Sequence, residues 1–167
     1  MAGATDHLSE TDECLLRRAI ELSAQAVVNG NLPFGALYAD SEGNIVLEAE
    51  TTGITDGNVL YHAETSLMLE AVRVLTDEER ASGTLYSSCE PCPMCAGAIY
   101  WGGITRVVFG LGEAQLYEIA SAQTATPVAI WGGCRLILDG GARDIEVIGP
   151  ALVGEASAPH EGVWADW

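Results

Sequence analysis

Two short stretches constrain this chain more than anything else in it: His62-Ala63-Glu64, and Pro91-Cys92-Pro93-Met94-Cys95. Each stands where a helical pattern begins. Tyr61 to Leu75 reads as a helix with Leu67, Leu69, Ala71 and Val74 on its core face. A second helix opens at Pro91-Cys92-Pro93, where a missing N–H is harmless, and runs to about Trp101 before Gly102-Gly103. Residues three apart share a helix face, so Cys92 and Cys95 can aim both sulfurs at one point. A helix N-terminus favours thiolate over thiol through its dipole and free N–H groups. Any fold of this chain that uses both stretches must bring two helix starts together.

An imidazole from His62 and two thiolates make three metal ligands. Zinc prefers four in a tetrahedron, which leaves one position for water, and the ion draws the pKa of that water towards neutrality. Glu64, two residues beyond the histidine, is placed beside that water as a proton acceptor rather than as a ligand. The alternative is a closed structural site with Cys89 as fourth ligand. Glu64 alone could be an ordinary first-turn acid, and Met94 reads as a core filler. Cys14 and Cys134 read as small buried hydrophobes, and His7 and His160 as solvent-exposed.

The remaining pattern alternates strands and helices. Thr11 to Asn29 reads as a helix capped by Thr11. Phe34 to Ala39 and Ile45 to Thr51 form a hairpin across Asp40–Asn44. Thr84 to Ser87, Arg106 to Gly110 and Ile145 to Gly149 are further strands, with helices over Glu113–Ala120 and near Cys134–Leu138. The order argues for an α/β sandwich with a mixed sheet. With 167 residues, 49% of them apolar, the chain suits a single domain over 1–167 with its own core. The C-terminal tail from about residue 151 is left open between flexible and partly ordered.

Charge narrows the partners. Against 24 acidic residues stand 7 basic ones, a formal charge of −17, so a nucleic-acid polyanion or an anionic membrane would be repelled while a small neutral substrate would not. The polar, acidic N-terminus is no secretion signal, and the odd count of five cysteines argues against a disulfide framework. The expected location is the cytoplasm.

At this point the residues resemble the cytidine deaminase-like superfamily, whose signature is H-x-E with a later P-C-x-x-C. Ser88-Cys89-Glu90-Pro91-Cys92-Pro93-Met94-Cys95, followed by Gly97-Ala98-Ile99-Tyr100-Trp101, is most similar to the bacterial guanine deaminases, and next to the tRNA adenosine deaminases. Pro33-Phe34-Gly35-Ala36 also fits, and the likeness runs from about Ala19 to Gly149. It implies a three-layer α/β/α sandwich around a five-stranded sheet, a homodimer, and hydrolytic removal of an exocyclic amine as ammonia. It further implies zinc on His62, Cys92 and Cys95, proton shuttling by Glu64, substrate contact by the Ala63 N–H, and a ring walled by Phe34 and Trp101.

Two departures from the family pattern stand out. An asparagine usually stands eleven residues before the zinc histidine; here that position is Thr51, whose single hydroxyl lacks the two-sided contact of an amide. Asn58-Val59 replaces the usual Asp-Pro. The substrate is therefore open among guanine, isoguanine, cytosine, a triazine and a nucleoside, with tRNA adenosine deamination and a non-catalytic zinc domain as alternatives. Glu113, Glu118 and Glu161 are candidate acidic anchors. Trp164 and Trp167 are read as surface packing, with closure of the pocket as the other possibility.

Overall fold

Helix α1 (Glu10–Val28) is capped by Ser9, not by Thr11 as expected. Ser9 Oγ accepts from the Asp12 N–H at 3.0 Å, and Asp12 Oδ2 accepts from the Ser9 N–H at 3.1 Å. That reciprocal box needs a polar side chain three residues after the cap. Thr11 would have had Cys14 there, which cannot return the bond. Cys14 itself is exposed on α1 rather than buried. These and all following statements concern residues 8–125, 130 and 132–165, which the computed structural model describes; the readings of His7 and Trp167 fall outside them.

Five strands form one sheet: β1 (Gly35–Ala39), β2 (Ile45–Glu50), β3 (Thr84–Cys89), β4 (Arg106–Leu111) and β5 (Glu146–Ile148), in the order β2-β1-β3-β4-β5. β1 runs antiparallel to both β2 and β3, while β3, β4 and β5 are parallel. The β1–β2 hairpin turns on Asp40, whose Oδ1 accepts from the backbone N–H groups of Glu42 and Asn44, each at 2.9 Å.

Side chains alternate across the sheet and bury both faces. On one face Leu37, Val108 and Ile148 pack against α1, α5 (Glu113–Ser121) and α7 (Val153–Ser157). On the other, Tyr38, Leu85 and Val107 pack against α2 (Ala63–Val74), α4 (Pro93–Gly102) and α6 (Gly133–Leu138). The result is the expected three-layer α/β/α arrangement. A short helix not foreseen from the sequence, α3 (Asp77–Ser82), follows α2. Asp12 ties α1 to the sheet: its carboxylate accepts from Arg106 Nη1 at 2.7 Å and from the Tyr86 hydroxyl at 2.7 Å.

The C-terminal segment is packed through residue 164. α7 and a 3₁₀ turn (Ala158–His160) lie on α1, and α7 also meets β4. His160 is 0% exposed, contrary to the expected surface position. Its ring stacks on Trp164 at 5.9 Å and meets Phe34 edge-on at 5.4 Å, so the turn at Pro159 folds an aromatic cluster onto the start of β1. Gly35 allows the close seating of α1 there, since a Cβ on it would lie 2.5 Å from Ala19 O and Ser23 N.

Candidate active site

The strand directions bring several chain segments to one end of the sheet. The start of β1 and the ends of β2, β3 and β4 all face that end, and α2 and α4 begin there. His62 caps α2 and Cys92 caps α4, both with extended backbone, and Pro93 occupies the first helical position. Cys95 follows at the third, on the face of Cys92. Sequence spacing alone had placed these groups, because each is pinned to a helix start.

Their ligating atoms converge. Cys92 Sγ lies 3.7 Å and Cys95 Sγ 3.5 Å from His62 Nδ1, and the two sulfurs are 3.5 Å apart. Zinc bonds of about 2.3 Å to sulfur and about 2.0 Å to nitrogen set tetrahedral edges of roughly 3.5–3.8 Å. The trio therefore fits one zinc ion in both donor type and spacing. Cys89 is not in this group among the described residues; it is buried at the end of β3, and desolvation pushes its thiol pKa well above the ordinary value. A closed site with Cys89 as fourth ligand is not what the residues form.

The charges are shared within the trio. The hydrogen bond from Cys95 pulls the Cys92 thiol down to about 4, against burial and helped by His62. The same bond pushes Cys95 up. The bond with the Cys92 sulfur raises His62 against its desolvation.

Glu64 stands beside them, 4% exposed. Burial first, and the nearby Cys92 thiolate second, raise its pKa above the ordinary carboxylate value. Ser87 Oγ donates to Glu64 Oε1 at 2.9 Å, and Cys95 Sγ lies 3.4 Å from Oε2. Ser87 was not singled out in the sequence, although two consecutive serines in a fully buried strand were the visible signal.

A cavity of about 540 Å³ opens over this cluster. His62, Glu64 and Cys92 line it, and so do two of the proposed substrate-binding residues, Thr51 and Phe34. Ala63 is buried at the first position of α2. Trp101 is not there. It is 80% exposed and borders a separate recess with Arg80 and Arg143. The reason is helix length: nine residues beyond Cys92 at about 1.5 Å each carry Trp101 some 13 Å down α4. The aromatic wall comes instead from Trp164, 1% exposed, which lines the cavity 6.1 Å from Phe34. Of the three candidate acids, Glu113 lines the cavity, together with Glu90, whereas Glu118 and Glu161 are exposed. No described Lys or Arg lines it.

Known proteins resemble this chain in sequence and in fold. Residues 9–111 match the family described as the cytidine and deoxycytidylate deaminase zinc-binding region. A probable cytosine deaminase of Schizosaccharomyces pombe is 38% identical over 161 residues, 96% of this chain and 97% of that protein. A tRNA-specific adenosine deaminase of Haemophilus influenzae is 35% identical over 113 residues, 68% of this chain and 65% of that one. The solved guanine deaminase of Nitrosomonas europaea superposes with a TM-score of 0.72 at 19% identity, covering 92% of this chain and 84% of its own, and so shares the fold. The matched region contains both helix starts and all three converging ligands, and this chain belongs to the cytidine and deoxycytidylate deaminase zinc-binding family.

Proposed function

We propose that the protein is a hydrolytic deaminase of a small amino-heterocycle, above all a free nucleobase such as cytosine or guanine, with isoguanine, a triazine or a nucleoside in the same chemical class. The observation that carries this reading is the buried Glu64 beside the His62, Cys92 and Cys95 cluster, at the base of a largely apolar cavity that no described Lys or Arg lines. The absence of Lys or Arg from the described lining speaks against a nucleotide, whose phosphate would meet carboxylates instead.

When bound by His62, Cys92 and Cys95, zinc supplies the Lewis acidity that draws the pKa of a water towards neutrality. The protein's own groups do the rest. Glu64 accepts a proton from the attacking water and passes it to the ring nitrogen, then takes the remaining hydroxyl proton of the carbon adduct and passes it to the amine, which leaves as ammonia. Ser87 keeps the carboxylate turned towards the cluster. Phe34 and Trp164 wall the ring and exclude bulk water. The Ala63 N–H, at a helix start where it has no intrahelical partner, is offered to the substrate's edge.

Incubating the zinc-loaded protein with cytosine, guanine, isoguanine, melamine and their nucleosides should release ammonia from at least one; silence across that panel would sink the proposal. A tRNA substrate is the second reading, favoured by the Haemophilus influenzae relative and opposed by the charge of −17. Inosine formed in an anticodon stem-loop would establish it. X-ray absorption adds a further check: two sulfurs with a lighter-atom remainder support the enzyme, and three sulfurs a structural zinc. The reading includes a homodimer in the cytoplasm. Leu69, contrary to its expected place on the core face, is exposed on α2, and with Val72 on α2 and Trp101 on the adjoining α4 it supports the dimer, which sedimentation at twice the chain mass would verify.

A further inference from the structure

Outside the metal cluster and Glu64, the polar side chains lining the cavity among the described residues are Thr51, Glu90 and Glu113. Each can be followed to its partners. The only proton of Thr51 goes to Tyr61 O at 2.9 Å, so towards the cavity its oxygen can only accept. Glu90 is fully engaged: Oε1 takes the Cys134 N–H and Oε2 the Glu113 N–H, each at 3.0 Å, stapling the starts of α5 and α6 to the end of β3. Glu113 is different. Its Oε2 takes the N–H groups of Gly132, at 3.2 Å, and Gly133, while no described residue donates to its Oε1. The backbone makes room for this: a Cβ on Gly133, which has φ +51°, would lie 2.6 Å from Glu90 Oε1.

The cavity thus holds a carboxylate that is fixed through one oxygen and has the other unfilled. Thr51 follows β2 and Glu113 follows β4, so the two acceptors approach from separated strands of the sheet. Neither can donate.

We propose that Glu113 reads a ring N–H on the edge of the substrate away from its amine, so that the protein selects free bases over the same rings alkylated or glycosylated at that nitrogen. This deepens the deaminase reading above and rests on it. A ring N–H to a carboxylate is a charge-assisted hydrogen bond. Replacing that hydrogen by carbon leaves a half-buried carboxylate without a donor, and sites built around such a bond reject the analogue that lacks it.

The test is direct binding to the zinc-loaded Glu64→Gln protein, which removes the proton shuttle. Calorimetry would compare cytosine with 1-methylcytosine, and guanine with 9-methylguanine. For the base that binds, the methylated analogue should bind about ten- to a hundredfold more weakly. Adding Glu113→Gln should weaken the unsubstituted base by a similar factor and leave the methylated one unchanged, since Gln keeps an oxygen for Gly132 and Gly133. Should that variant fail to fold, Glu113→Asp should keep the order of the two ligands and shrink their ratio. Equal affinity for both members of each pair overturns the proposal, as does an equal loss for both in Glu113→Gln, or no binding of any base. Wild-type protein that binds selectively but releases no ammonia overturns the deaminase reading and leaves the role of Glu113 standing.

Discussion

The proton traffic of the proposed reaction runs through one side chain, so Glu64 carries the sharpest expectation. Glu64→Ala should lower ammonia release by about 10²–10⁴-fold, the range for general acid–base catalysis, while keeping one zinc per chain by atomic absorption. Ser87→Ala leaves the carboxylate in place without its donor. It should reduce kcat by about tenfold with KM nearly constant, since Ser87 reaches the substrate only through Glu64. These groups differ in how readable they were. His62, Glu64, Cys92 and Cys95 lie at helix starts, and spacing there fixes direction. Ser87 projects from a buried strand, and nothing local marks which neighbour it meets. Trp101 was expected at the ring only through the family resemblance, whereas the helix carries it away from the cluster.

At the level of elements, two buried titratable groups tie separate segments together and respond to opposite ends of the acidic range. Burial alone would raise the Asp12 pKa, but hydrogen bonds from Arg106, Tyr86 and Ser9 outweigh it and hold the carboxyl well below the usual range. A depressed carboxyl stabilises the fold above its unfolded pKa of about 3.9, and that contribution drains away as pH falls further. His160 is lowered by burial to about 4 from an ordinary 6.5. Between those values the unfolded chain binds a proton that the folded one refuses, so stability falls as pH drops from 6.5 to about 4. Melting scans should therefore show two windows. His160→Phe should flatten the upper one, and Asp12→Asn the lower. Asp12→Asn should also lower stability at neutral pH by about 3 kcal/mol, because it leaves Arg106 without its buried partner. The segment carrying His160 was hardest to read, since its partner Phe34 lies far back in the chain. By contrast, the Thr76-x-x-Glu79 capping box of α3 was written in the sequence and was overlooked in so short a helix.

Across the whole molecule, charge and substrate are decoupled. A chain at −17 repels itself, and added salt screens that repulsion, so melting temperature should rise between 50 and 500 mM NaCl on the order of a few degrees. A neutral base feels none of this, and kcat/KM for it should change by less than about twofold over the same range. A steep fall with salt would instead point to an anionic substrate such as RNA. Zinc removal acts on both properties: a chelator should abolish turnover and lower the melting temperature, and added zinc should restore both. An α/β sandwich with a mixed sheet was legible from the alternation of strands and helices, while the three layers and the five strands were what the family resemblance implied. Which side chains would enclose the cavity was not legible, because that depends on contacts between segments far apart in sequence.

The close seating at Gly35 couples distant parts of this architecture. Phe34 hangs from the residue that α1 presses upon, and a methyl group at position 35 would meet the helix backbone. Gly35→Ala must therefore lift α1 or tilt the start of β1, and Phe34 would swing with it. The seating depth of a helix that bears no reactive group thereby sets where Phe34 stands in the cavity wall.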